Sequence, residues 1–129
     1  MTGTPRILLV DDNAAMTAVC CRALKMAGDY EIQEVNSPTQ AVQIAQRFRP
    51  DLIVLDLVMP EMTGEAVLAA IRSLPELAAT QVMILTGRKS LRLALDANTS
   101  FVSKPIHIPQ LVDIVESIVS SLRKGREHS

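Results

Sequence analysis

Apolar and polar positions alternate in two distinct rhythms along this chain. Ile7–Val10 (ILLV), Leu52–Leu55 (LIVL) and Val82–Leu85 (VMIL) are short runs, nearly all apolar, each ending abruptly at a polar residue. Such runs suit parallel strands covered on both faces. Ile32–Val35 and Phe101–Ser103 are weaker strand candidates, one of them an edge strand. Between the runs the apolar positions follow helical spacing. Met16, Val19, Cys20, Ala23, Leu24 and Ala27 form one such stripe, and Ala41, Ile44, Ala45 and Phe48 a second. Val67, Ala70, Ile71 and Leu74 form a third, and Leu111, Ile114, Val115, Ile118, Val119 and Leu122 the last. Arg88–Ala97 holds a shorter helix, with Leu91, Ala94 and Leu95 on one face. Gly28 is placed to stop the first helix. Ser37 can cap the second, with Pro38 at its first position and Gln40 completing a capping box. The order is βαβαβαβαβα without internal repeats. It predicts an α/β fold, a doubly wound five-stranded parallel sheet with helices on both faces.

Length and composition keep the fold to one domain. The chain has 129 residues, 48 % hydrophobic and 21 % charged, enough apolar material for a core. The expected core runs from about Arg6 to Leu122, and 123–129 reads as a polar, fraying tail or linker. The net charge of -1 argues against a direct nucleic-acid or membrane-surface role. No basic-then-apolar leader precedes the first strand, and no apolar run approaches the roughly 20 residues that span a bilayer. Cys20 and Cys21 are adjacent, a poor geometry for a disulfide within a helix, so both read as reduced thiols and the location as cytoplasmic.

Candidate chemistry lies just past the strands. Asp11 and Asp12 follow the first, Asp56 the third, Thr86 and Gly87 the fourth, Lys104 and Pro105 the fifth. In an open parallel sheet the carboxyl ends share one edge, where ligands bind. Three carboxylates gathered there repel one another and call for a hard divalent cation or the ammonium of Lys104. That donor set suits phosphate chemistry and lacks the His or Cys that zinc prefers. Each residue also has a plain structural reading: Asp12 as the cap of the first helix, Phe101 as a core or edge aromatic, Lys104 as a surface lysine.

ILLVDDN (Ile7–Asn13), VLDLVMPEMTG (Val54–Gly64), ILTG (Ile84–Gly87) and SKP (Ser103–Pro105) together resemble the receiver domains of two-component response regulators, in order and over nearly the whole chain. The resemblance implies strand order 2-1-3-4-5 and a signalling module rather than a metabolic enzyme. Asp56 would accept a phosphoryl group from a sensor histidine kinase or phosphotransfer protein. Mg²⁺ would be held by Asp11, Asp12, Asp56 and the backbone carbonyl of Val58, with no other cofactor. Lys104 would pair with the phosphoryl group and Thr86 would donate its hydroxyl to it. Phe101 would be the aromatic switch toward an effector domain or protein. Gly87 would leave room for the phosphoryl group, and Lys104–Pro105 is often cis in such domains.

The chain departs from that family in the stretch from Thr86 to Lys104, shorter by about one helical turn, and in Ala97–Asn98 replacing the familiar Gly-Ala. This leaves the oligomeric state open and favours signalling as a monomer or through another face. Thr63 stands where Asp or Asn is frequent and is placed to cap the third helix. Met59 and Met62 read as loop packing. A haloacid-dehalogenase-type phosphatase would need an acid at Val58. A flavin-binding domain would meet two repelling aspartates after the first strand. A pseudo-receiver, an unphosphorylated interaction module, is the remaining alternative.

Overall fold

The computed structural model describes residues 3–57, 63–87 and 98–127, with side chains as far as 122. The helix expected over Arg88–Ala97 lies outside them, as do Val58, Met59 and Met62. Five strands form one parallel sheet: β1 Arg6–Val10, β2 Glu31–Val35, β3 Leu52–Asp56, β4 Gln81–Thr86 and β5 Thr99–Ser103. Their spatial order is β2-β1-β3-β4-β5. Both weaker strand candidates are therefore edges. The described helices are α1 Ala14–Ala27, α2 Pro38–Phe48, α3 Gly64–Ser73 and α4 Ile108–Glu127.

The apolar runs are continuous because each strand feeds two cores. Leu8, Val10, Ile53, Leu55, Val82 and Ile84 face one way, against Ala41 and Ala45 of α2 and Val67, Leu68 and Ile71 of α3. Ile7, Leu9, Leu52, Val54, Met83 and Leu85 face the other, against Cys20 and Leu24 of α1 and Leu111, Val115 and Val119 of α4. The central strand β3 is buried along its whole length, whereas β2 exposes Glu31, Gln33 and Glu34. Charges on a sheet edge discourage pairing with another chain.

Several local expectations change. The cap of α1 is Asn13, whose side chain accepts from the Met16 N–H at 3.2 Å, so Asp12 is released from that role. Thr63 caps α3 as expected, accepting from the Ala66 N–H at 3.2 Å. Ser37 is the N-cap of α2 and Pro38 follows it, but no capping box forms. The Ser37 hydroxyl is engaged with Thr39 Oγ1 at 3.0 Å instead of a helix N–H. Gly28 ends α1 in extended backbone (φ -170°), so its benefit is room for the Tyr30 ring, which a β-carbon would approach to 3.1 Å. α4 continues as helical backbone to Glu127, past Leu122, the expected end of the core. Cys20 and Cys21 are free thiols, Cys20 buried.

Arg72, near the end of α3, organises the lower part of the molecule. Its Nη1 donates to the carbonyls of Ala78 (3.0 Å) and Thr80 (2.7 Å). Its Nη2 donates to the Asn98 carbonyl (3.2 Å) and Thr99 Oγ1 (2.8 Å). One planar fork thereby joins α3, the turn into β4 and the start of β5. Arg72→Met strands these acceptors and should lower stability by about 2–4 kcal/mol in urea unfolding. Arg72→Lys should recover only a minor part, since a point charge cannot span four acceptors.

Candidate functional site

The parallel arrangement brings the carboxyl ends of β1, β3, β4 and β5 to one edge of the sheet. Register sets the depth of each group. Val10 lies opposite Leu55, so Asp11 and Asp56 end neighbouring strands at the same level. Asp56 lies opposite Leu85, and Thr86 opposite Ser103, which places Lys104 just beyond. The Lys104 N–H donates to the Thr86 carbonyl at 2.8 Å, and the Lys104–Pro105 peptide is cis.

Asp11, Asp12 and Asp56 each offer a carboxylate oxygen, all within 4.8 Å of one another. Lys104 Nζ donates to Asp56 Oδ1 at 2.7 Å. The Asp56 side chain is 6 % exposed and that of Lys104 34 %, and both line a cleft that opens to solvent. One ammonium against three carboxylates leaves the cleft acidic. Burial pushes the Asp11 carboxyl up to about 6 from its ordinary 3.8, with the Asp56 charge and a hydrogen bond with Asp12 adding to the rise. The Asn13 N–H, which donates to Asp11 Oδ1 at 2.9 Å, and the Lys104 charge oppose it. A buried carboxyl held back from ionising, beside two more oxygen donors, fits a hard divalent cation.

The cleft has a volume of about 450 Å³. The acids and Lys104 form one wall, and Met16, Pro105 and Ile106 an apolar shelf beside them. Thr86 is 4 % exposed and ends β4 at the same edge of the sheet. Phe101 is partly buried and packs against the α2–α3 core, opposite Ile84 on β4. Gly87 is roomy: a β-carbon there would meet nothing nearer than Lys104 Cβ at 4.0 Å. Gly64 is the opposite case. A β-carbon on it would run into the Asp56 carbonyl and come within 2.6 Å of Leu57 Cα. The first turn of α3 thus lies directly against the end of β3, with the Gly64 N–H on the Leu57 carbonyl at 3.0 Å.

The structure thus gathers Asp11, Asp12, Asp56 and Lys104, and sets Thr86 and Phe101 on the adjacent strands. Val58 lies outside the described residues. Asn13 was missed by sequence reasoning as both cap and partner of Asp11. An asparagine just before the first helical stripe is the available signal for the cap, whereas the bond to Asp11 uses a backbone N–H that any non-proline residue at that spacing supplies. Among the described residues no helix is long and apolar enough to cross a membrane.

A family model described as the response regulator receiver domain matches residues 7–116. The transcriptional regulatory protein PrrA of Mycobacterium leprae is 32 % identical over 120 residues, 90 % of this chain and 50 % of that protein. The chain therefore spans about half the length of this relative. The signal receiver domain of a signal transduction histidine kinase from Syntrophus aciditrophicus is 29 % identical, with a TM-score of 0.80 over 92 % of each chain. The chemotaxis protein CheY4 of Vibrio cholerae is 25 % identical, with a TM-score of 0.78 over 90 % of this chain and 99 % of that one. Similar domains thus occur in a transcriptional regulator, a kinase and a chemotaxis protein. The fold, the acidic edge and the family match agree: this chain belongs to the response regulator receiver-domain family of two-component signal transduction.

Proposed function

We propose that Asp56 is the phosphoacceptor and that the domain switches a partner surface when phosphorylated. One observation carries this reading: three carboxylates within 4.8 Å of one another, with an ammonium 2.7 Å from the central one, at the carboxyl edge of a parallel sheet. The donor is a phosphohistidine on a sensor histidine kinase or phosphotransfer protein, or a small acyl phosphate. An Asp56 oxygen attacks phosphorus, a P–O bond forms, and either the P–N bond to the donor imidazole or the P–O bond to the acyl oxygen breaks, the latter releasing a carboxylate. The leaving nitrogen takes a proton from water. Lys104, already on Asp56, is placed to follow the new charge onto a phosphoryl oxygen.

Receiver domains generally bind Mg²⁺ through acidic residues, and here Asp11, Asp12, Asp56 and the Val58 carbonyl are the proposed ligands. When bound there, a divalent cation would supply the charge that neutralises phosphoryl oxygens, which the three acids would otherwise repel. Thr86 donates its hydroxyl to the phosphoryl group. That inward turn frees space beside Ile84 for the Phe101 ring, and the exposed face near β5 changes for an effector. The module is a signalling partner working in the cytoplasm, with self-catalysed phosphotransfer and slow autodephosphorylation as its chemistry. Incubation with acetyl phosphate and Mg²⁺ should add one phosphate-sized mass, and EDTA should prevent it. Absence of any gain, together with unchanged amide NMR shifts on adding BeF₃⁻, would leave an interaction module that is not phosphorylated.

The acid site also predicts a pH dependence. The Asp11 carboxyl titrates near 6 when folded and near 3.8 otherwise. Between these values the folded metal-free protein holds the extra proton. Its stabilising contribution is therefore complete at low pH and is lost as pH rises through about 6. Mg²⁺ must displace that proton, so affinity should fall as pH drops below about 6, by about tenfold between pH 7.5 and pH 5. Calorimetric titration across that range checks it, and a flat profile would contradict it.

A further inference from the structure

β1 and β2 run parallel with Val10 opposite Val35, and the ladder continues where the Asp11 N–H donates to the Val35 carbonyl at 3.1 Å. The next rung of a parallel ladder would bring the N–H of residue 37 to the Asp11 carbonyl. Ser37 instead leaves the sheet as the N-cap of α2. The Asn36 side chain takes over that rung. Its Nδ2 donates to the Asp11 carbonyl at 2.8 Å, and to Thr17 Oγ1 at 3.0 Å. The Thr17 hydroxyl donates in turn to the Ala14 carbonyl at 3.1 Å. The polarity of this chain of bonds is determined. A carbonyl only accepts, so the amide nitrogen must face Asp11, and Thr17, having given its proton to Ala14, accepts. Thr17 is 2 % exposed, so one end of the bridge is anchored inside α1.

We infer that Asn36 is a positioning residue for the acidic turn. It holds the Asp11 peptide between β2 and α1, and thereby keeps the Asp11 and Asp12 carboxylates within reach of Asp56 for a divalent cation. This rests on the metal-assisted reading above. Asp11 is also held by its own N–H on the Val35 carbonyl and by its carboxylate, which accepts from the Asn13 N–H, but neither bond fixes its carbonyl toward α1. Loss of the Asn36 bridge leaves a buried carbonyl without its side-chain donor and lets the whole turn shift.

The test compares the wild type, Asn36→Ala and Thr17→Val in the intact chain. Mg²⁺ is titrated against the amide NMR shifts of Asp12 and Asn13, and stability is followed separately in urea. Asn36→Ala should weaken Mg²⁺ binding by about tenfold, as loss of a bond supporting a metal ligand does. Thr17→Val keeps the bond to Asp11 but loses the anchor, and should fall between. Without metal, hydrogen exchange at the Asn13 amide should speed up in both variants while β3 stays protected. Unchanged exchange at Asn13, or wild-type Mg²⁺ affinity in folded Asn36→Ala, overturns the inference. A wild type that binds no Mg²⁺ would refute the metal-assisted reading instead, and Asn13 exchange would still decide the positioning role. Should Asn36→Ala fail to fold, Thr17→Val is judged by the same two readouts.

Discussion

Asp56→Asn should abolish the phosphate-sized mass gain completely while leaving the protein folded. The amide presents no anionic oxygen to attack phosphorus, and no neighbouring acid stands in its place. Asp11 and Asp12 follow β1, and both are tied to the turn that opens α1, whereas Asp56 ends the central strand against Lys104. Stability should not fall. Asp56 is 4 % exposed and shares its cleft with two further carboxylates, so its charge is repelled by Asp11 as well as attracted by Lys104. Removing it relieves that repulsion at the cost of one ion pair. Intact mass and thermal unfolding on the same sample separate the two outcomes. A persistent mass gain would move the acceptor elsewhere. A sharp loss of stability would show that the Lys104 pair is structural first. Lys104→Met should slow phosphorylation without removing the acceptor, because the nucleophile survives and only charge compensation is lost.

Gly64→Ala carries the second large effect, and there intrinsic preference and packing have opposite signs. At an unconstrained helical position alanine is favoured over glycine by about 1 kcal/mol. Here the added carbon meets the Asp56 carbonyl and lies 2.6 Å from Leu57 Cα, both backbone atoms of the strand end that cannot rotate aside. No described glycine has a positive φ, so the requirement is for space and not for an unusual conformation. Either β3 or the first turn of α3 must move, at a cost of about 3 kcal/mol. Any shift of the Asp56 carbonyl also displaces the acceptor, so phosphorylation should slow together with the loss of stability. Urea unfolding beside a phosphorylation time course checks both. A stabilised Gly64→Ala would mean that this contact is looser than the structure has it.

Much of this fold is legible in the order of residues, for identifiable physical reasons. Strand runs such as LIVL at Leu52–Leu55 are unambiguous because burial on both faces leaves no polar position, and β3 is buried throughout. The helical stripes at Leu24 and Leu111 hold because each feeds one continuous core. Asp11, Asp12, Asp56 and Lys104 were visible because topology forces strand ends to one edge, so position along the chain already specified location in space. Elements of strong local pattern needed no tertiary knowledge. Ser37 takes the N-cap position of α2 as its pattern suggests, but its capping hydrogen bond does not form, because a hydroxyl has several partners in reach and Thr39 takes it.

Folding alone sets the pairings between residues that no periodicity links. Asn36 and Asp11 are brought together by parallel register, and the bond between them exists because Ser37 turns away into α2. Arg72 finds its acceptors in three separate segments. Gly64 is required by the carbonyl of a strand that precedes it, which no glycine count reveals. The titration of Asp11 depends on burial and on charges from β3 and the Lys104 segment. Hydrophobic pattern is a one-dimensional record of which face is buried, and it suffices for the layers, the strands and the residues at their ends. Hydrogen-bond direction, close backbone approach and electrostatic coupling depend on distances of a few ångströms between remote segments, and those exist only once the chain is folded.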